Sequence, residues 1–282
     1  MGTAADKVEQ LPSIRSFMQQ ADLTARKSLG QNFLFDLNLT GRIADSADLS
    51  KGTVFEIGPG PGGLTRALIL AGAEKIIAIE KDRRVIGFLN HLVNAAEGSL
   101  ELIEGDALKI PLWELSDAPR QIIANLPYNI ATPLLINWLS HGQHFTAMTL
   151  MFQREVAERI TAAPGDTQFG RLSILANWRA DTEILFDIPP EAFSPPPKIV
   201  SSVVRLIPRA TPLYPCKQSA LEQVTQIAFS QRRKMLRASF KKFGGEAMLA
   251  TLDINPELRP QDLDIVDFCR IAEHLDGQLQ TP

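Results

Sequence analysis

Four consecutive residues, Asn125-Leu126-Pro127-Tyr128, have the groups needed to hold a planar amine. They follow a short apolar run, 121–124, which is typical of a buried strand. The Asn125 side-chain oxygen and a neighbouring backbone carbonyl can accept the two hydrogens of an amine. Pro127 fixes the direction of the chain, and Tyr128 offers a flat face on which a base can stack. Methyl transfer to the exocyclic nitrogen of adenine needs these parts, although a strand followed by an ordinary proline turn could have the same sequence.

A glycine-rich loop earlier in the chain could bind a nucleotide-like cofactor. Residues 56–63 read Glu-Ile-Gly-Pro-Gly-Pro-Gly-Gly and lie between a strand pattern and a helical pattern. Glycines let the backbone approach a ligand closely, and a helix N-terminus presents free N–H groups. Gly58, Gly60 and Gly63 also satisfy the G-x-G-x-x-G pattern of dinucleotide-binding enzymes. An NAD-dependent oxidoreductase is therefore an alternative at this point.

Three acidic residues near the ends of successive strand patterns favour S-adenosylmethionine as the cofactor. Glu56 lies two residues before the first glycine, where it can order the loop or meet the ammonium group of the ligand. Glu80 can accept hydrogen bonds from ribose hydroxyls, which NAD enzymes also use, and Asp106 can accept the hydrogens of an adenine amino group. Each carboxylate alone could be a solvated charge, but open α/β sheets bind their ligands at this edge.

The elements that must position these residues alternate between strand and helix patterns. Apolar runs of strand length occur at Thr53–Ile57, Ile76–Glu80, Leu100–Glu104, Gln121–Ala124 and Ala147–Phe152. Helical patterns occupy 64–71, 83–96 and 133–139. This alternation predicts an α/β fold with a parallel sheet and helices on both faces. The carboxyl ends of the strands then bring the glycine loop, the acids and the tetrad to one edge.

The chain after residue 153 predicts two more strands and then changes character. Residues 182–187 and 199–207 form strand patterns, and the second alternates as an antiparallel addition at a sheet edge would. A loop that contains five prolines, 188–198, lies between them. After Pro208, a linker with two prolines leads into helical patterns, which predict a small all-α domain.

Composition indicates an ordinary globular protein. Of 282 residues, 45% are hydrophobic and 22% are charged, and no apolar run approaches the length of a membrane span. The first 20 residues lack the apolar core of a signal peptide. Two cysteines, Cys216 and Cys269, and four histidines form no metal-ligand spacing. We therefore expect no metal, no membrane partner and a reducing cytoplasm.

Charge is unevenly distributed along the chain. The net charge of −3 and the pI of about 5.9 argue against strong binding to nucleic acid. The segment 230–243 nevertheless holds six basic residues and no acidic one, namely Arg232, Arg233, Lys234, Arg237, Lys241 and Lys242. A second basic spot is Arg26-Lys27. The segment could bind phosphates, or it could be only a solvated helix face.

A series of motifs resembles the ribosomal RNA adenine dimethyltransferase family, and within it the bacterial small-subunit branch. They are Lys27–Leu34, Glu56–Gly60, Glu80, Gly105-Asp106, Asn125–Ile130, Gln153–Ala157, Phe193–Ile199 and Ser230–Lys234 with Leu236-Arg237. The resemblance covers nearly the whole chain. It implies a Rossmann-like class I methyltransferase, with a seven-stranded, mostly parallel sheet and a small C-terminal all-α domain. The implied domains are a methyltransferase domain at 1–208, with an N-terminal lid at 1–50, and an RNA- or ribosome-binding domain at 209–282.

The resemblance also implies roles for individual residues. The S-adenosylmethionine contacts would be Asn32, Leu34, Gly58, Glu80, Asp106 and Asn125. The catalytic group would be Asn125 and the Leu126 backbone oxygen, which hold the amine, with Tyr128 and Phe193 on the two faces of the base. Phe193 could instead anchor the proline-rich loop. The RNA contacts would be Arg232, Arg233, Lys234 and Arg237.

The implied reaction transfers methyl groups from S-adenosylmethionine to N6 of two adjacent adenosines. These adenosines lie in a hairpin loop near the 3′ end of 16S rRNA, in the immature small subunit, so the enzyme contributes to subunit biogenesis. We expect it to act as a monomer. One alternative is a macrolide-resistance methyltransferase of the large subunit, disfavoured by Leu126 and by the run 231–234. The others are an NAD-dependent oxidoreductase and a non-catalytic assembly factor.

Overall fold

The computed structural model describes residues 3–20, 25, 30–50 and 52–279. The basic pair Arg26-Lys27 and the motif residues Ser28 and Leu29 lie outside the described residues. The chain divides into two compact units. The first comprises Met1–Asn137, His144–Ala157 and Glu183–Ile207, and the second comprises Trp138–Gln143, Glu158–Thr182 and Pro208–Pro282.

The strands form one large sheet and one small sheet. In chain order they are β1 (Phe33–Leu34), β2 (Thr53–Ile57), β3 (Lys75–Glu80), β4 (Leu100–Glu104), β5 (Arg120–Asn125), β6 (Ala147–Gln153), β7 (Ala180–Ile188), β8 (Phe193–Ser194) and β9 (Ser201–Pro208). In the described part of the chain, the large sheet has seven strands in the order β4-β3-β2-β5-β6-β9-β7. β1 and β8 form the small antiparallel pair. The predicted seven-stranded, mostly parallel sheet is confirmed.

The central strands are apolar because both faces of the sheet are covered. Every residue of β2 is buried, as are all residues of β3 except Lys75. β2 pairs in parallel with β3 and β5, and β3 with β4 and β5 with β6 pair in the same way. Continuous apolar runs of this kind are typical of parallel strands buried on both faces. Their carboxyl ends therefore meet along one edge of the sheet.

The position of β9 differs from the predicted one. β9 is antiparallel to β6, as expected, but it lies between β6 and β7, so β7 and not β9 is the edge strand. Ser201 and Ser202 are both fully buried, together with Val203 and Val204. Because small hydroxyl side chains are buried on this strand, the alternation of polar and apolar residues did not report which face meets solvent.

Helices cover the sheet and build the second unit. They are α1 (Ala4–Glu9), α2 (Ile14–Gln20), α3 (Leu37–Asp45), α4 (Gly63–Leu70), α5 (Arg83–Ala95), α6 (Tyr128–Ser140), α7 (Arg154–Thr161), α8 (Arg171–Arg179), α9 (Gln218–Ser230), α10 (Leu236–Ser239), α11 (Gly245–Thr251) and α12 (Ile265–Leu275). None of the described helices is long and apolar enough to cross a membrane.

Local sequence explains where α5 and α6 begin. Asp82 caps α5 by accepting a hydrogen bond from the Arg84 N–H, and the helix then buries Val85, Leu89 and Leu92 at helical spacing. α6 begins at Tyr128, five residues before the predicted start at Pro133. Proline is favoured in the first turn of a helix, but here it lies inside one.

The second unit has its own apolar core, which extends beyond the predicted C-terminal domain. Its last segment begins at Pro208, close to the predicted boundary, but residues 138–143 and 158–182 belong to the same unit. The reason is that α8 buries Ile174 and Trp178 in one apolar cluster with Leu221 of α9 and Phe268 of α12. The helical pattern of α8 does not reveal which core it joins.

Replacing Ile174 with Ala should destabilise the second unit. The side chain is fully buried in the cluster that also holds α9 and α12, and Ile→Ala changes in cores cost about 2–5 kcal/mol. Hydrogen exchange should therefore become faster in peptides from α9 and α12. The matched control is Ile184→Ala on β7, where the side chain is 37% exposed. Unchanged exchange in α12 would contradict the assignment of α8 to this core.

Candidate active site

A cavity of about 200 Å³ lies at the carboxyl ends of β2, β3, β4 and β5 in the first unit. The N-terminal segment 30–34 forms a further part of its wall. The six residues predicted as cofactor contacts all line it: Asn32, Leu34, Gly58, Glu80, Asp106 and Asn125. Leu126 and Tyr128 line it as well. The structure therefore brings the donor and acceptor halves of the predicted site into one cavity.

Glu80, at the end of β3, holds the neighbouring loops together. Its Oε2 accepts a hydrogen bond from the Gly60 N–H at 3.1 Å, and its Oε1 accepts from the N–H groups of Lys81 and Asp82 at 2.8 Å each. Burial raises the pKa of Glu80, and these three N–H bonds oppose the rise. A carboxylate has about four acceptor positions, so one of them, on Oε2, stays open for a ribose hydroxyl.

The glycine loop approaches the N-terminal segment closely. Gly60 has a φ of +52°, and a Cβ at this position would lie 3.1 Å from the Phe33 ring. The Gly58 N–H donates to the Ile79 carbonyl at 2.9 Å, which ties the loop to the end of β3. Glycine is required at Gly60 because of both its backbone conformation and this close approach.

Glu56 is a buried carboxyl in the cavity wall. It is 1% exposed, and its Oε2 has no hydrogen-bond partner among the described residues. Burial raises the pKa of Glu56 to about 8, and the nearby Glu80 carboxylate adds to the rise. Without a bound cation, Glu56 is therefore largely protonated at neutral pH. A ligand ammonium would supply a positive counter-charge and so favour the ionised form of this carboxyl.

Asp106 follows β4 and is paired with Lys81, a residue that the sequence reasoning did not select. Lys81 Nζ lies 2.9 Å from Asp106 Oδ2, while Oδ1 accepts the Leu108 N–H at 3.1 Å. The hydrogen bond from Lys81 is the main reason that the pKa of Asp106 is lowered. Lys81 is 65% exposed and can turn towards solvent, so Asp106 remains able to accept from an amine.

The Asn125 amide has a defined orientation. Its Nδ2 donates to the Asn32 carbonyl oxygen at 3.4 Å, a long hydrogen bond to the N-terminal segment. This contact leaves Oδ1 as the acceptor that can face an incoming amine. Leu126 is 1% exposed and lines the cavity.

Tyr128 is fixed at both ends. Its backbone begins α6, and its hydroxyl lies 2.6 Å from Ser201 Oγ on β9, close enough to share a hydrogen bond. Burial raises the pKa of Tyr128, which keeps the phenol protonated at neutral pH. Ser201 was not predicted, because it lies 73 residues further along the chain.

Phe193 is placed beside the cavity and does not line it. Its backbone pairs with Leu34 across the small β1–β8 sheet, and the side chain is 4% exposed within the core of the first unit. This position fits the anchoring role that the sequence left open. A stacking role for Phe193 stays a prediction.

The basic residues of segment 230–243 lie on the surface of the second unit. Leu236 and Phe240 are fully buried and anchor the segment. All six basic residues are exposed: Arg232, Arg233, Lys234, Arg237, Lys241 and Lys242. Arg237 lies 3.8 Å from each of two carboxylates, which offsets part of its charge. Among the described residues, Arg233, Lys234, Lys241 and Lys242 have no ion-pair partner.

Comparison with known proteins identifies the family. The model of the ribosomal RNA adenine dimethylase family matches residues 22–277. The chain belongs to the ribosomal RNA adenine dimethylase family. The predicted enzyme class, an S-adenosylmethionine-dependent rRNA adenine methyltransferase, is thereby confirmed, and the oxidoreductase alternative is excluded.

Relatives and solved structures agree with this family. Ribosomal RNA small subunit methyltransferase A of Rhodospirillum rubrum is 52% identical over 95% of this chain and 93% of that protein. The protein of the same name from Sinorhizobium medicae is 51% identical over 95% of this chain and 99% of that one. A dimethyladenosine transferase from Plasmodium falciparum superimposes with a TM-score of 0.73, at 29% identity, over 87% of this chain and 98% of that chain.

The 23S rRNA methyltransferase ErmE also shares the fold. It superimposes with a TM-score of 0.63, at 26% identity, over 87% of this chain and all of that chain. The fold is therefore common to rRNA methyltransferases whose substrates differ, and the dimethylase fold alone does not select the substrate.

The cavity of this dimethylase fits S-adenosylmethionine. Glu56 offers an unpartnered, buried Oε2 to an ammonium, and Glu80 offers an open acceptor position to a ribose hydroxyl. Gly60 also lines the cavity, and its N–H is held by Glu80. Among the described residues, no group of three or more His, Cys, Asp or Glu side chains could hold a metal ion.

Replacing Glu56 with Gln should stabilise the cofactor-free dimethylase increasingly as pH rises. The folded pKa of about 8 lies above the reference value of 4.5. Between these values the unfolded chain ionises Glu56 while the folded chain keeps it protonated. The free energy of unfolding of the native sequence therefore falls by up to about 1.4 kcal/mol per pH unit between these values, and the fall levels off once pH passes the folded pKa. Gln does not titrate, so the variant does not lose stability in this way.

Urea unfolding of both proteins at intervals across this pH window measures the effect. The control is Glu74→Gln, which removes an exposed carboxylate from the same unit. The free-energy difference between Glu56→Gln and the native sequence should widen with pH, while the control difference should not. A constant difference across the window would show that Glu56 is ionised in the folded state.

Proposed function

We propose that the protein dimethylates N6 of two adjacent adenosines in a hairpin loop near the 3′ end of 16S rRNA. The observation that carries this proposal is the oriented Asn125 amide, whose Oδ1 is free to accept an amine at the cavity that fits the methyl donor. Relatives named ribosomal RNA small subunit methyltransferase A are 50–52% identical to this chain, whereas the 23S rRNA methyltransferase ErmE is 26% identical. This difference supports small-subunit RNA as the substrate.

The donor side of the site is proposed to hold S-adenosylmethionine through its three polar ends. Glu56 faces the ammonium, Glu80 accepts from the ribose, and Asp106 accepts from the adenine amine. Asn32 and Leu34 cover the cofactor from the N-terminal segment. Gly58, which has no side chain, lets the loop backbone contact the cofactor closely. When bound, S-adenosylmethionine supplies an electrophilic methyl group with a neutral leaving group.

On the acceptor side, the difficulty is the poor nucleophilicity of an adenine amine. Asn125 Oδ1 and the Leu126 backbone oxygen accept its two hydrogens, which raises electron density at the nitrogen. The same two oxygens stabilise the positive charge that develops there, an effect of about 3–4 kcal/mol for a well-placed group. The product ammonium then loses a proton readily, so a strong general base is not required.

The target base must leave its stack before it reaches the amine-binding oxygens. Tyr128 stacks on one face of the base, a contact of roughly 1–3 kcal/mol. Phe193 closes the other face after a small movement of β8, or it holds the proline-rich loop in place. Replacing Phe193 therefore affects either base affinity or loop order.

The second unit is proposed to bind RNA. Arg232, Arg233, Lys234 and Arg237 supply positive charge on an otherwise acidic protein, and phosphates are its natural partner. The proposed substrate is the immature small subunit, which the enzyme meets as a monomer in the cytoplasm. Modification of a partly assembled subunit would link the reaction to subunit biogenesis.

Replacing Asn125 with Ala should lower methyl transfer by about 100-fold or more while the protein stays folded. The reason is that the variant loses the oxygen that accepts one amine hydrogen. Incorporation of labelled methyl groups into immature small subunits measures it, with free 16S rRNA and large-subunit RNA as parallel substrates. Near-native incorporation by the variant would contradict the amine-binding role. Preference for large-subunit RNA by the native protein would contradict the proposed substrate.

Changing Arg232, Arg233 and Lys234 together to Gln should weaken RNA binding and flatten its salt dependence. Each lost phosphate contact reduces the slope of log K against log salt by roughly 0.7–0.9. Filter binding over a range of salt concentrations measures the slope.

The matched control removes three cations that are already paired with carboxylates. These are Arg205, Arg209 and Lys217, whose partners lie at 2.9, 2.6 and 2.6 Å. The control should change the slope little. If both triple variants give the native slope, the basic segment is only a solvated surface.

A further inference from the structure

One polar contact beside the cavity has no role in the methyl transfer proposed for this site. The Tyr128 hydroxyl and Ser201 Oγ lie 2.6 Å apart, in the same unit, and Ser201 is fully buried. Tyr128 itself is half-buried and lines the cavity. The contact joins the first residue of α6 to the first residue of β9.

Ser201 is itself held rigidly by the sheet. Its backbone pairs with Gln153 across the β6–β9 ladder, so the position of its hydroxyl is set by the strand and not by a mobile loop. A tyrosine side chain rotates about two bonds, and its hydroxyl oxygen lies on the axis of the second. A hydrogen bond to this oxygen therefore fixes the direction in which the ring extends from the backbone. Ser201 therefore determines the direction of the Tyr128 ring axis, and with it the place of the ring in the cavity wall.

We propose that Ser201 is a positioning residue that fixes the Tyr128 ring before the target base arrives. This proposal rests on the proposed function, in which the Tyr128 face receives the adenine. A ring whose axis is already fixed loses less conformational freedom when the base stacks, and it places the amine near Asn125 in a reactive geometry. Without Ser201, the ring would sample other positions. The base stacked on it would then be displaced from Asn125 for part of the time.

The proposal predicts an effect on turnover more than on RNA affinity. Ser201→Ala should lower kcat roughly tenfold, which corresponds to the loss of one hydrogen bond to a buried partner. KM for the RNA should change little, because phosphate contacts dominate its affinity. A native kcat in Ser201→Ala would overturn the proposal.

The neighbouring serine provides a matched control. Ser202 is also fully buried on β9, but its hydroxyl donates to Asp187 Oδ1 at 2.6 Å. Ser202→Ala removes the same atom from the same strand without touching Tyr128. It should retain native kcat. An equal loss of kcat in both variants would assign the effect to strand stability and overturn the proposal.

A double-mutant cycle tests whether Ser201 acts through Tyr128. Tyr128→Phe keeps the ring and removes only the hydroxyl. In that background Ser201→Ala should have no further effect on kcat, since the contact is already absent. A further loss of similar size would show that Ser201 acts independently of Tyr128.

Fluorine NMR separates this proposal from the proposed function. The chain has two tyrosines, so fluorotyrosine labelling gives two assignable signals, with Tyr214→Phe identifying that of Tyr128. Ser201→Ala should shift or broaden the Tyr128 signal, and Ser202→Ala should not. This result would stand even if the native protein failed to methylate small-subunit RNA. An unchanged Tyr128 signal in Ser201→Ala would overturn the positioning role.

Discussion

The buried carboxylate of Glu80 is the interaction on which the cavity depends. Its side chain binds the N–H of Gly60 in the loop after β2 and two N–H groups in its own turn after β3. Its backbone carbonyl accepts the N–H of Gly105, after β4, at 2.9 Å. Parallel strands fix their own register but leave the loops that follow them free. A single residue therefore sets the relative positions of three loops, and those N–H groups offset part of the free energy needed to bury its charge.

The tetrad and the residue after it show a second constraint, in which three different segments hold them. Pro127 lies against Gly58, where a Cβ would be 3.4 Å from the proline ring. Asn129 lies against Gly30, where a Cβ would be 2.7 Å from its Oδ1. Asn125 is held by the N-terminal segment and Tyr128 by β9. Holding four neighbouring residues by three segments leaves little freedom for the groups that would meet the amine, which is how a site becomes preorganised.

The sequence predicted the residues that follow from strand order and failed where distant segments meet. Parallel strands end at one edge, so Glu80, Asp106 and Asn125 could be placed together from their positions after strand patterns. The contact of Ser201 with Tyr128 depends on the position of β9 in the sheet. That position could not be predicted, because the serines of β9 are buried although their polarity suggests an exposed face. The membership of α8 in the second core depends on packing that a helical pattern does not encode. Lys81 was missed because an exposed lysine next to an acid gives no signal of its partner.

The hydrogen bond between Asn125 and the Asn32 carbonyl has a consequence for processivity. Two methylations of one amine need two donor molecules, and the segment 30–34 forms part of the cavity wall. Any movement of this segment that releases the spent donor also breaks the contact that orients the Asn125 amide. If Asn125 binds the amine as proposed, the half-methylated base would be held less tightly at each exchange. Whether the second methyl group follows without release of the RNA would then depend on contacts made away from this cavity, such as those proposed for the basic residues of the second unit.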